Sequence, residues 1–143
     1  MRTEPDSTII LDTNVHVSAL LFGQSTSADV LEEALDHYVP VFTLATWHEL
    51  TQVLMREKLN RYLTQEARHL FLAKLASMVD VVESRSVVND CRDPKDNKFL
   101  ALAVDAKAAC IVTGDNDLLV LHPYRGIAVC TPAEFLATRP ESP

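Results

Sequence analysis

A three-layer α/β/α sandwich around a central, mostly parallel sheet is the fold class this sequence predicts. Two observations carry the prediction. Short runs rich in β-branched residues alternate along the chain with longer helical patterns. Those runs are apolar throughout rather than apolar at every second position, as strands covered on both faces are. The chain's 143 residues are enough for one domain with a real hydrophobic core. A single domain is therefore expected over 1–143, with its core at about 8–137 and a frayed tail at 139–143.

In order, TIIL at 8–11 predicts the first strand, and helices are expected at about 14–21 and 28–37. VPVFT at 39–43 is the second strand, followed by helices at about 47–58 and 64–77. VDVV at 79–82 is the third strand, and a helix at about 94–108 follows a loop. In that helix Phe99, Leu102, Ala103 and Ala106 share one face. CIVT at 110–113, a short helix near 117–121, IAV at 127–129 and a helix at 132–137 complete the order. Three helix starts carry capping signals. Thr131-Pro132-Ala133-Glu134 is a capping box with Pro at the first helical position. Asp93-Pro94-Lys95-Asp96 has the same form, and Thr46-Trp47-His48-Glu49 is a third Thr-x-x-Glu.

Composition excludes several functions. Thirteen Lys and Arg against 20 Asp and Glu give a net charge of −7, which argues against gripping nucleic acid by charge alone. Only three Gly occur, and no GxGxxG or P-loop can be written among them. The three Cys form no CxxC pair and read as reduced, mostly buried residues. The five His have no HxxxH spacing, so a zinc site is not expected. No apolar run approaches the roughly 18 residues of a membrane span. The acidic N-terminal stretch does not have the form of a signal peptide. A soluble, cytoplasmic protein is expected.

The carboxylates are the informative residues. Asp12 ends the first strand; Glu49 begins the helix after the second; Asp96 lies in the first turn of the helix after the third; Asp115, with Asp117 beside it, follows the fourth. The carboxyl ends of parallel strands share one edge, where ligand crevices form, so these acids converge. Two negative charges ~5 Å apart repel by about 3 kcal/mol at an effective dielectric near 20, so such a crevice takes up protons or a cation. Oxygen donors without His or Cys suit Mg2+ or Mn2+. An acid-lined metal pocket suits phosphodiester hydrolysis by an activated water. Each acid also has a plainer use: Asp12 and Asp115 as helix caps, Glu49 as partner of Thr46 in a capping box, Asp96 as a charge at a helix N-terminus. Asp117 joins the site only if its segment is a turn. Asn14 and Thr113 are candidate donors that orient Asp12 and Asp115. Arg56, Lys58, Arg61 and Arg68, interleaved with Tyr62, could hold an RNA backbone or equally form a solvated helix end. Lys95 and Lys98 stand close enough to Asp96 to touch a phosphate, or are ordinary exposed lysines.

The strings IILDTNVHVSALLFG, ELTQVLMREKL, DPKDNKFLALAVDAKAACIVTGDNDLL and TPAEFL, in this order, resemble PIN-domain nucleases. Within them the resemblance is to the bacterial toxin components of toxin–antitoxin systems related to VapC. It implies a PIN-like fold and a Mg2+- or Mn2+-dependent endoribonuclease. It also implies site acids at Asp12, Glu49, Asp96 and Asp115 with Asp117 as accessory, a homodimer, and a small antitoxin that blocks the site. The alternatives are a non-catalytic RNA- or antitoxin-binding module of the same fold and a haloacid-dehalogenase-like phosphatase. The latter wants a second Asp where Asn14 stands. A receiver-like Mg2+-binding module lacks its paired early acids and its late Lys.

Overall fold

A computed structural model describes residues 7–138. The stretches 1–6 and 139–143, on which the expectations of a non-leader start and a frayed tail fall, lie outside the described residues. Five strands form one sheet: β1 Thr8–Leu11, β2 Val39–Phe42, β3 Asp80–Val81, β4 Cys110–Val112 and β5 Ala128–Cys130. Their order is β3-β2-β1-β4-β5 and every pairing is parallel. The chain builds outward from β1 to β3, then crosses over to lay β4 and β5 on the other side. Its order therefore reverses between β1 and β4, the place where such sheets open a crevice at their carboxyl edge.

Successive strand residues face opposite sides, and the two apolar cores follow that alternation. Ile9, Leu11, Phe42, Cys110 and Val112 pack under helices α1 Thr13–Leu21, α2 Thr26–His37, α3 Leu44–Leu54, α4 Gln65–Ala76 and α7 Pro132–Thr138. Ile10, Val41, Ile111 and Val129 pack under α5 Asn97–Ala106 and the short α6 Asn116–Leu119. These are the three layers the strand pattern predicts.

Helix limits differ from expectation where polar side chains made a better cap. Ser25 caps α2 by accepting from the Ala28 amide at 3.1 Å, two residues ahead of the expected start. The larger correction is at α3. Thr43 caps it, accepting from the Thr46 amide at 3.2 Å, while Thr46 Oγ1 accepts from the Thr43 amide at 2.9 Å. The helix therefore begins three residues before the expected position, and Thr46, Leu50 and Leu54 fall on its buried stripe. The predicted Thr46–Glu49 capping box does not form, and Glu49 sits in the second turn. At its other end α3 stops at Leu54, and 57–61 is a separate 3-10 turn. The expected helix from residue 94 is likewise split, into a 3-10 turn Pro94–Asp96 and α5. Lys107, in left-handed conformation at φ 51°, ends α5.

The long connection from β3 to the Asp93 turn delivers one side of the site and is pinned along its length. The Asp105 carboxylate accepts from the Arg85 amide at 2.8 Å and from the Ser86 hydroxyl at 2.5 Å. Tyr124 donates to Asp90 at 2.5 Å, and the Cys91 amide donates to Asn97 Oδ1 at 2.8 Å. No described helix is long and apolar enough to cross a membrane.

Candidate active site

Asp12 is the innermost of the predicted acids. It leaves β1 with its amide donating to the Val112 carbonyl of β4 at 3.1 Å, which continues the ladder one residue past the strand. It then caps α1, Oδ1 accepting from the Val15 amide at 2.9 Å. Its other oxygen accepts from the Thr113 hydroxyl. Capping and site geometry therefore coexist in one buried carboxylate. Burial raises its pKa, the Thr113 and Val15 hydrogen bonds pull it back, and the charges of Asp115 and Glu49 push it up.

Thr113 links the two strands across the reversal. Its Oγ1 donates to the Asp12 carboxylate, as expected, but towards Asp115 it accepts from the backbone amide at 3.0 Å and holds the backbone rather than the carboxylate. Asp115 caps α6, accepting from the Asp117 amide at 2.9 Å. Asn14, the other expected orienting donor, is exposed on α1.

Asp96 closes the 3-10 turn set up by Asp93, whose carboxylate accepts from the Lys95 amide at 3.1 Å. Its pKa is pushed up to about 7, first by desolvation and then by the neighbouring Asp115 carboxyl, near enough to share a proton, with Lys98 pulling the other way. Its Oδ2 is buried and accepts no hydrogen bond from the protein. A carboxyl group in that position is either protonated or, if ionised, in need of a cation on that oxygen.

Glu49, released from capping duty, reaches the same region from α3. One oxygen accepts from the Thr13 hydroxyl and the other lies 2.7 Å from Lys98 Nζ. Neither partner was singled out from the sequence as a Glu49 contact. Thr13 carried no signal beyond its place beside Asp12, and Lys98 carried only its nearness to Asp96. Asp117 stands in the first turn of the helix α6, so the turn that would bring it into the site does not form; its carbonyl accepts from the Cys91 thiol at 3.6 Å. Burial pushes the Cys91 thiol up, the Asp93 backbone pulls it back, and the charges of Asp96, Asp117 and Asp115 add to the rise.

At the carboxyl edge of the sheet the charges of Asp115 and Glu49 push up Asp12, and Asp115 pushes up Asp96. Among the described residues, however, no three His, Cys, Asp or Glu side chains are grouped closely enough to hold an ion as they stand. Oxygens of Asp12, Glu49 and Asp115 are turned to hydroxyl, amide and ammonium donors of the chain itself. By donor chemistry the residues fit a hard divalent cation, and the orphaned Asp96 oxygen is where that fit is most direct.

Residues 8–117 match the PIN domain family profile. The chain belongs to the PIN domain family. That is the nuclease family its motifs resemble, and all five predicted acids fall inside the matched segment. This PIN domain is 30% identical over 138 residues to the uncharacterized protein MJ1680 of Methanocaldococcus jannaschii, covering 90% of this chain and 88% of that one. In fold it is similar to PAE2754 of Pyrobaculum aerophilum, with a TM-score of 0.62 and 16% identity over 92% of this chain and 88% of that one. It is also similar to a chain of VapBC2 from Rickettsia felis, solved bound to a DNA fragment from its promoter. There the TM-score is 0.59 at 12% identity, covering 87% of this PIN domain and 98% of that chain.

One expected nucleic-acid contact is corrected. Arg68 is fully buried. Its guanidinium donates to the carbonyls of Leu54 at 2.6 Å, Arg56 at 3.2 Å and Thr64 at 3.3 Å, and to the Asn60 side chain. It holds helix ends together and cannot reach an RNA backbone. Arg56, Lys58, Arg61 and Tyr62 are exposed.

Proposed function

We propose that this PIN domain is an endoribonuclease that hydrolyses RNA phosphodiester bonds with Mg2+ or Mn2+, as the toxin of a toxin–antitoxin pair. The observation that carries the reading is the buried, partnerless Asp96 oxygen beside Asp115, where the sheet order reverses. Asp12, Asp96 and Asp115 would hold the ion, and Glu49 would complete the pocket directly or through water. When bound, the ion supplies charge stabilisation at the scissile phosphate and lowers the pKa of the attacking water. Thr113 keeps Asp12 and Asp115 at a fixed separation, and the Asp93 turn presents Asp96 toward them. Water is the nucleophile, so no covalent enzyme intermediate forms. The cation also offsets the repulsion between a −7 protein and a polyanion.

A cognate antitoxin and a homodimer are part of the proposal, supported by the VapBC-like fold and by the resemblance of the motifs. The test is cleavage of a mixed RNA pool by purified, antitoxin-free protein with Mn2+, Mg2+ or EDTA, beside Asp12→Asn. Metal-dependent fragments that fall at least about a hundredfold in the variant are expected, the scale of losing one preorganised charge-stabilising group. Intact RNA under both metals, from protein shown to be folded, would favour the non-catalytic RNA- or antitoxin-binding module instead.

A further inference from the structure

Lys98 occupies an unusual position for a lysine, as the second residue of α5, just before the buried run Phe99 to Ala103. Its side chain is only 24% exposed, against 30% for Glu49, and its ammonium lies 2.7 Å from Glu49 Oε1. It donates also to the Lys95 carbonyl and lies 5.3 Å from the centre of the Phe99 ring. Lys98 also stands two residues after Asp96 in the chain, and its charge pulls the Asp96 pKa down. Glu49 has its second oxygen on Thr13, so both of its oxygens are engaged by the chain. Asp12 is held the same way, by Val15 and Thr113. Asp12 and Thr13 have fixed backbone at the end of β1, and Thr113 has fixed backbone at the end of β4. The Lys98 side chain, by contrast, carries its charge on a flexible stem.

We propose that Lys98 is a built-in counter-ion of the acidic crevice: its ammonium holds the Glu49 carboxylate while no divalent ion is bound, and competes with that ion for it. Lys98 thereby sets how tightly the pocket takes metal. This rests on the reading of the acids as a metal site. The reasoning is one of charge and of geometry. Four carboxylates draw a cation, and the cation already tethered beside them must give up Glu49 before that residue can turn toward Asp12, Asp96 and Asp115. A divalent ion entering next to an undisplaced ammonium also meets like charge at short range.

The experiment measures Mn2+ binding to metal-stripped protein by electron paramagnetic resonance, with no RNA present. The variants are Lys98→Met, Lys98→Arg, Glu49→Gln, the Glu49→Gln/Lys98→Met pair and Asp12→Asn. Loss of the tethered charge should tighten Mn2+ binding about tenfold in Lys98→Met. Lys98→Arg, which keeps the charge, should stay within about twofold of the parent, and the Met effect should shrink to about twofold or less in the Glu49→Gln background. Unchanged or weaker binding in Lys98→Met overturns the proposal, as does an equal effect with and without Glu49, which would make Lys98 a diffuse charge rather than a competitor. If Lys98→Met fails to fold by circular dichroism, Lys98→Gln takes its place. Parent protein that binds no Mn2+ removes the metal-site reading itself. Binding lost in Asp12→Asn but indifferent to residue 98 leaves that reading standing and removes only the role of Lys98.

Discussion

His16 is sealed in the core four residues after Asp12, against the Phe42 ring at 5.1 Å, with its Nδ1 lacking a partner. Burial alone lowers its pKa to about 4, from 6.5 in an unfolded chain. The unfolded chain therefore takes up a proton as pH falls through 6.5, while the folded protein refuses it until about 4. The stability it allows is complete above pH 6.5 and declines toward pH 4, by roughly 3 kcal/mol over the window. Asp96 acts in the opposite sense, because a carboxyl raised by folding costs stability as pH rises toward 7. The comparison that isolates the histidine is His16→Leu against the parent in urea unfolding at pH 7 and pH 5. The parent should lose more stability on acidification, and an equal loss in both would exonerate His16. Residue-level roles such as this were only partly legible in sequence. Asp12 announced itself by following an apolar strand directly, and Asp115 by following one through Thr113-Gly114. Glu49 did so ambiguously, because its spacing from Thr46 matched a capping box that a better-placed Thr43 displaces.

Helices α3 and α4 show what one side chain does for an element. Carbonyls at the C-terminal end of a helix lack intrahelical partners, and Arg68, reaching across from α4, satisfies those of Leu54 and Arg56 at the end of α3. All its partners are oxygens of backbone or amide groups, so the arginine serves as a buried multi-point donor. Arg68→Met keeps the bulk and strands these carbonyls. It should cost about 3 kcal/mol of stability, since each unsatisfied buried group costs roughly 1–3. RNA binding per folded molecule should not change, measured by filter binding at a temperature where the variant is folded. A selective loss of RNA affinity without loss of melting temperature would restore the contact role that its place in a basic stretch suggests. The sequence could not separate these uses, because an arginine among arginines gives no sign of which one turns inward. The packing of α4 against the end of α3 decides it.

The whole molecule is a sheet with a core on each face, and the acids stand on the edge both cores support. Leu102 is fully buried under the face that carries α5, while the single Trp, Trp47, packs against the core of the other face. If the two cores are one cooperative unit, Leu102→Ala should destabilise by about 2–5 kcal/mol. Trp47 fluorescence and far-ultraviolet circular dichroism should then shift to the same lower midpoint. A Trp47 transition left at the parent's midpoint would show that the faces unfold separately. Coupling at this scale also bears on the site, because Asp12 hangs from β1 and Asp96 from the start of α5, on opposite faces. A defect under α5 should loosen the acid network as well as the core.

Sequence alone determined the layered parallel architecture, the order of the strands along the chain, and the fact that carboxylates follow their carboxyl ends. It could do so because burial on both faces and local capping chemistry are written in neighbouring residues. Tertiary structure alone decided that β1 and β4 are adjacent, so that Thr113 could bind Asp12, and that Thr43 rather than Thr46 caps α3, so that Glu49 was free to meet Thr13 and Lys98. It also decided that Arg68 points inward. Each of those outcomes depends on which of several chemically equivalent groups arrives first within hydrogen-bond reach, and that is settled by the packing of elements far apart in the chain.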